Sequence, residues 1–341
     1  MTMRVFEDPK LELIRRLREA AGIEHAVMVQ YLYAAFSVKP AYVGPPGFGA
    51  HSFLGLVDVA NDTLSHLRDL NNLLVQLGCA PELRRGRFPL MAPSLPFELS
   101  LEGLSARSLA KHIYATAPRE LFESTSPADC ALVTRLAELL QEAMPPIHLG
   151  SPYESLVDLA RAARQTETFV HVIQGISEAK TKKHHLLFRS LLEGTHESLG
   201  EAPDAWSLPS SDNRYPSLPV ATNPTVAPGT PASICDPDLR ALARVANIHY
   251  WIILAALDLM HRFLDPAQVL EHRTQALLDG CVVPLGQVLA RAGVGLPFDS
   301  FDLQCGETSS EGVARRQFAT LCLEADALEA VCSKLLPPRY T

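Results

Sequence analysis

The spacing of apolar residues between Asp8 and Phe36 is the strongest constraint on how this chain can fold. These residues recur in steps of three and four, which places them on one face of an α-helix: Leu13, Leu17, Ala20, Val27, Tyr31 and Ala35. Asp8 can cap the first turn, and Pro9 suits the first helical position. The sequence therefore predicts a helix from Pro9 to about Phe36.

The same helical period returns along most of the chain, and no alternation of useful length predicts a strand. It predicts helices at about 51–77, from about 151 onward, through 170–194, and at 237–264, 266–292 and 311–335, with shorter ones at 105–112 and 128–143. The predicted fold class is therefore all-α, a four-helix bundle with additional C-terminal helices.

Proline-rich stretches divide the predicted helices into three regions. Residues 1–198 would form the bundle, including an irregular crossover at 79–150, and residues 199–235 would form a coil. Residues 236–341 would form helices packed on the bundle, because the segment 237–264 is apolar nearly all round and such a helix is buried.

The bulk composition limits the classes of partner that the chain is expected to bind. The chain has 341 residues, of which 47% are hydrophobic and 20% charged, with a net charge of −8. This composition is typical of a globular protein, and the acidic balance argues against a nucleic-acid partner. No run of about 18 apolar residues predicts a membrane span. We expect a small-molecule substrate, with a homodimer left open.

The N-terminus and the cysteines predict the compartment. Residues 1–9 contain no basic segment followed by an apolar core, so no secretory signal is expected. The seven cysteines form no Cys-x-x-Cys pair and are odd in number, which favours scattered thiols in a reducing compartment. The predicted location is the cytoplasm.

Two matching stretches carry the candidate chemistry. His66 follows Thr63 by three residues, and His184 follows Thr181 by three, each on a predicted apolar stripe. Glu24 falls inside the stripe of the first helix, where a carboxylate is costly to bury unless it is paired or bound to a metal. We therefore select Glu24, His66 and His184 as candidate catalytic residues.

Two interpretations of these residues stay open. Imidazole and carboxylate together suit iron, manganese or zinc, with Glu178 or Glu154 as a further ligand. Alternatively, the histidines act as acid and base in a metal-free polar pocket. A full di-iron bundle site needs about four carboxylates and two histidines, so the expected cofactor is none or a single Fe, Mn or Zn ion. The predicted pocket lining is Thr63, Thr181, Asp62, Tyr31 and Gln174.

Several segments resemble one protein family. They are Glu24-His25 with Gln30-Tyr31-Leu32-Tyr33-Ala34, His66-Leu67 with Asn72-Leu73-Leu74, and Gln174-Gly175 with His184 through Phe188. Their order and spacing resemble ferritin-like proteins related to iminophenylpyruvate dimer synthase, which work in violacein- and rebeccamycin-type biosynthesis. The resemblance implies a ferritin-like fold and a role in small-molecule biosynthesis.

The chain departs from that family where metal would bind. The resemblance implies carboxylates at the positions of Asp62, Thr63, Ile176 and Thr181, and only Asp62 keeps one. We therefore expect a ferritin-like enzyme of secondary metabolism with a degenerate metal site, acting on a small amino-acid-derived or aromatic substrate. A metal-dependent oxidoreductase or imine-coupling synthase with a rearranged site, and a non-catalytic binding or scaffold protein, are the alternatives.

Overall fold

A computed structural model describes residues 4–42, 55–92, 95–141, 152–199, 204–263, 269–300 and 311–337. Four helical segments form the bundle: α1 (Pro9–Phe36), α2 (Leu56–Gln76), α6 (Pro152–Ala162), and α7 (Glu167–Ala179) with its continuation α8 (His185–Glu193). Helix α1 packs against α2 and α6, and α7 packs against the same two helices. The four segments therefore enclose a common core.

Helix α1 begins and ends where the sequence predicts. The Asp8 side chain accepts a hydrogen bond from the Leu11 amide, and Pro9 occupies the first turn. From Glu24 to Phe36 every residue of α1 is buried, because other elements pack on it from several sides. For α2, the predicted start at residue 51 lies outside the described residues.

The helix that carries α7 and α8 is continuous but not uniform. Residues Lys180–His184 form a π-helical turn, and the His185 amide donates to the Lys180 carbonyl five residues earlier. A π turn holds one residue more than an α turn, and such turns are frequent at functional sites. The inward face therefore changes phase at Lys180.

The crossover between α2 and α6 contains short helices at the two predicted places, 105–112 and 128–143, together with a further short helix and a strand pair that were not predicted. It holds α3 (Ala106–Thr116), α4 (Arg119–Glu123) and α5 (Pro127–Leu140), and α3 packs against α8. Strands β1 (Leu90–Met91) and β2 (Glu98–Leu99) form a two-stranded antiparallel pair. Each strand has only two residues, too few for the alternation that identifies strands in a sequence.

The C-terminal helices lie against the bundle. They are α9 (Pro237–Phe263), α10 (Val269–Leu277), α11 (Val283–Arg291) and α12 (Glu311–Cys332), with a second π turn at Leu278–Val282 between α10 and α11. Helix α9 packs on α2 and α12, while α11 packs on α1. His25 Nε2 lies 2.5 Å from the Tyr250 hydroxyl, which ties α1 to α9.

Helix α9 is also the most apolar long helix among the described residues. By length and composition alone it could cross a membrane, with a mean hydropathy of 1.3 over an 18-residue window. However, 89% of that window is buried inside the fold, as in the core helix of a globular protein. The expectation that the chain has no membrane partner stays a prediction.

Candidate functional site

Glu24 lies at the centre of the bundle and is fully buried. The Lys180 ammonium is 2.7 Å from Glu24 Oε1, and the Tyr153 hydroxyl donates a hydrogen bond to the same oxygen. Burial acts to raise the pKa of Glu24, but the charge of Lys180 and the contact with His66 outweigh it and lower that pKa to about 2. Glu24 is therefore an ionised carboxylate with a built-in counter-charge.

Two imidazoles lie beside this ion pair. His66 Nδ1 is 3.6 Å from Glu24 Oε2, and the rings of His66 and His184 stack with centroids 5.5 Å apart. His184 Nε2 lies 3.5 Å from Asp62 Oδ2. Burial lowers the pKa of His184, so its imidazole is neutral near pH 7.

Asp62 stands at the outer edge of this group. It is partly exposed and also contacts Lys183. Its partial burial acts to raise the pKa of the carboxyl, but hydrogen bonds from His184 and Lys183 lower that pKa to about 2. The three candidates Glu24, His66 and His184 are thus brought together, with Asp62 behind His184.

Several buried polar atoms at this centre have no hydrogen-bond partner: Glu24 Oε2, His66 Nδ1, His184 Nδ1 and the Tyr31 hydroxyl. Buried polar groups almost always have one, from protein or ordered water. These four atoms can therefore form hydrogen bonds with a polar ligand or with water.

An aromatic group borders the polar centre. The Tyr31 ring meets His112 edge-on with centroids 4.9 Å apart, and Phe188 lies 5.0 Å from each of them. Tyr31 also meets the His184 ring edge-on at 6.3 Å. The ionic and imidazole groups are therefore bordered by aromatic rings that pack on one another and are themselves buried.

Gln174 and Thr181 do not lie on the inward face of the helix that carries α7 and α8. The buried residues there are Val170, Ile173 and Ile176, followed by Lys180 and His184 in the π turn. Gln174 and Thr181, predicted to line the pocket, are only half-buried. The Thr181 hydroxyl donates to the Ser177 carbonyl at 3.0 Å, because the π turn moves it off the inward face.

Thr63 is buried, and its hydroxyl, like that of Thr181, already has a hydrogen-bond partner. The Thr63 hydroxyl donates to the Val59 carbonyl of its own helix at 2.7 Å. Such a bond satisfies the hydroxyl locally. That Thr63 lines a pocket stays a prediction, with its hydroxyl already bonded to its own helix.

Glu178 was predicted as a metal ligand, and the structure corrects this too. Its side chain is 65% exposed and pairs with Lys182 on the outer face of the helix. It points away from the core because it lies two residues after Ile176, which is buried. The alternative ligand Glu154 has a side chain outside the described part of the chain.

Two residues at the centre were missed from the sequence. The predicted pair of Thr181 and His184 leaves out Lys180, which lies four residues before His184. A signal for it exists: Ile176, Lys180 and His184 follow one another in steps of four. Tyr153 falls at the start of a predicted helix, and nothing in its sequence context predicts the bond to Glu24.

The family resemblance raises the possibility of a di-iron centre. Such a centre does not fit the residues present. Glu24 already has an ammonium ion at 2.7 Å, and both threonine hydroxyls are bonded to their own helices. Among the residues that the structure describes, no group of three or more His, Cys, Asp or Glu side chains is arranged to hold a metal ion. The charge that a metal would balance is instead balanced by Lys180.

Comparison with known proteins decides the family. The family model described as Ferritin-like matches residues 17–189, about half of the chain, and this stretch contains most of α1, all of α2, α6 and α7, and the whole candidate site. The chain belongs to the ferritin-like family. The resemblance inferred from the sequence is confirmed at this level, and the all-α ferritin-like fold with it.

One curated relative of this ferritin-like protein is dichlorochromopyrrolate synthase from Lentzea aerocolonigenes. The two are 27% identical over 213 residues, which cover 55% of this chain and 20% of the relative. The chain therefore matches about a fifth of the length of that enzyme. No solved structure matches the chain.

Proposed function

We propose that this ferritin-like protein is an enzyme of secondary metabolism that binds a small amino-acid-derived or aromatic substrate in its bundle core and works without a di-iron centre. The observation that carries the proposal is the buried Glu24–Lys180 ion pair surrounded by unpartnered imidazole and hydroxyl groups. The distant relationship to dichlorochromopyrrolate synthase supports the assignment to secondary metabolism.

The residues support proton transfer as the reaction type. Glu24 Oε2 faces His66 Nδ1 at 3.6 Å, and a carboxylate at that position favours the tautomer with the proton on Nδ1. His66 Nε2 would then take a proton from the substrate, and the imidazolium that forms would be stabilised by Glu24. Catalytic contacts of this kind are often long before substrate binds.

Lys180 and His184 have separate parts in this proposal. Lys180 keeps Glu24 ionised, so that the carboxylate orients His66 instead of giving up a proton. His184, neutral and stacked on His66, would exchange a proton or a hydrogen bond with a polar group of the substrate. Tyr31, His112 and Phe188 would flank an aromatic ring.

Replacing His66 by glutamine tests the proposal. The gene is deleted in the host, which is complemented with wild type, His66→Gln or Glu178→Gln, and the pathway product is measured by mass spectrometry. Loss of general-base catalysis typically costs 10²- to 10⁴-fold, so His66→Gln should lower product at least ~100-fold. Glu178→Gln is the matched control, because Glu178 lies on the exposed face of α7, and it should leave product unchanged.

The same experiment separates an enzyme from a scaffold protein. If the deletion removes product but His66→Gln restores it fully, the protein contributes by binding and not by catalysis. The identity of the substrate, a homodimeric assembly and a cytoplasmic location stay predictions.

A further inference from the structure

We propose that Lys180 occupies the position of a metal-ligating carboxylate and closes a latent divalent-metal site, so that replacing this one side chain by glutamate opens the core to Mn²⁺, Fe²⁺ or Zn²⁺. The inference concerns the same core as the proposed function. It is tested by metal binding alone, so that either can fail without the other.

The position of Lys180 follows from the π turn. In metal-carrying bundles of this type, a carboxylate and a histidine on one helix project inward together. In this chain the inward pair of that helix is Lys180 and His184, both buried, while Thr181 is turned aside. An ammonium group therefore stands where the helix geometry would deliver a carboxylate to the centre.

The ammonium and a metal ion compete for the same oxygen atoms. Lys180 Nζ lies 2.7 Å from Glu24 Oε1 and is itself buried. A divalent cation bound by Glu24 would lie within a few ångströms of this fixed positive charge, in a core where charges are poorly screened. Occupation by Lys180 thus excludes metal without removing the remaining ligands.

Those remaining ligands are in place. Glu24 Oε2 and His66 Nδ1 lie 3.6 Å apart, and neither has a hydrogen-bond partner. Two ligand atoms at about 2.0–2.1 Å from a tetrahedral metal ion are separated by about 3.4 Å, close to the observed distance. Carboxylate with imidazole is a ligand set that iron, manganese and zinc accept.

The experiment compares wild type, Lys180→Glu and Lys182→Glu. Each protein is incubated with Mn²⁺, Zn²⁺ or, without oxygen, Fe²⁺, desalted, and measured for metal content and for Tm with and without the ion. Lys182→Glu is the matched control, because it makes the same charge change in the same π turn on a side chain that is 74% exposed. We expect about one metal ion per chain for Lys180→Glu, and a metal-dependent rise in its Tm that neither wild type nor Lys182→Glu shows.

Lys180→Gln provides a second variant, because two buried carboxylates without metal, Glu24 and the introduced one, disfavour the apo fold of Lys180→Glu. Lys180→Gln removes the counter-charge of Glu24 without adding a ligand, and its Tm should rise with metal more than that of wild type. If Lys180→Glu is unfolded as purified, metal added during expression should restore it.

Three results would overturn the inference. They are stoichiometric metal in desalted wild type, equal metal content in Lys180→Glu and Lys182→Glu, and a failure of metal to restore an unfolded Lys180→Glu. None of these results depends on whether the wild-type protein catalyses a reaction.

Discussion

The imidazole rings of His66 and His184 stack at 27° to each other with their centroids 5.5 Å apart. Two imidazolium ions this close would repel, so the pair favours at most one proton. His184 is neutral near pH 7, since burial lowers its pKa and the charges of Lys180 and His66 act in the same direction. A neutral His184 stacked on His66 is compatible with the proposed role of His66 as the general base.

Removing one partner of the ion pair between Glu24 and Lys180 should destabilise the protein more than removing both. Replacing Glu24 by glutamine leaves a buried ammonium without a counter-charge, which typically costs about 3–5 kcal/mol. The double variant Glu24→Gln with Lys180→Met removes both charges and should be clearly more stable than Glu24→Gln alone. Urea unfolding of the single and double variants gives the coupling free energy. Additive costs would show that the two side chains do not interact.

The free energy of unfolding should decrease as the pH is lowered below about 6.5, before the carboxylates take up protons. Burial, and for His112 the nearby Lys111, lowers the pKa of His25 and His112 from 6.5 to about 3. Because the unfolded chain binds these protons more readily, their stabilising effect is complete above about pH 6.5 and is lost as pH falls towards 3.

The measurement is the urea midpoint at several pH values between 7.5 and 4. His112→Phe keeps an aromatic ring against Tyr31 and Phe188 but cannot take up a proton. Its midpoint should therefore change less over this range than that of wild type. An identical pH dependence in the two proteins would exclude His112 as a source of the acid sensitivity.

Two glycines near the end of α11 should differ in their tolerance of a side chain. Gly293 and Gly295 both have positive φ, at +77° and +81°. A Cβ on Gly295 would come within 2.1 Å of the Tyr33 hydroxyl, whereas one on Gly293 would lie 3.6 Å from its nearest neighbour, the Pro219 carbonyl oxygen. We expect Gly293→Ala to cost about 1–2 kcal/mol from backbone strain, and Gly295→Ala to cost roughly 1–3 kcal/mol more from overpacking.

Thermal unfolding of the two glycine variants checks this difference. Tyr33 links α1 to the segment before α9 and to the segment after α11, because its hydroxyl donates to the carbonyl groups of Ala221 and Val294. If both variants lose the same stability, the contact between Tyr33 and Gly295 does not hold the C-terminal helices against α1.

Local patterns were enough to predict most helices of this chain. The bounds of α1 follow from a cap, a proline and an apolar stripe, all of which act within a few residues. The inward orientation of Glu24 and His66 follows from the same periodicity. These features depend on neighbours in sequence, which is why they could be predicted.

The errors lie where one turn departs from α-helical spacing. The predicted pocket takes Thr181 and Gln174 for the core, whereas steps of four back from His184 select Lys180 and Ile176, which the structure buries. No residue type reliably marks a π turn, because it is stabilised by packing on both sides of the helix. The bond from Tyr153 to Glu24 spans 129 positions and equally escapes local patterns.

The π turn also affects how the centre of the bundle can change in evolution. Because a π turn is an α turn with one residue more, loss of one codon between Lys180 and His184 would restore α-helical length while both ends of the helix keep their faces. Only the side chains of the turn itself would change place around Glu24. Descendants that differ by one residue in this turn can differ in the charge at the centre of the bundle while the rest of the helix stays the same.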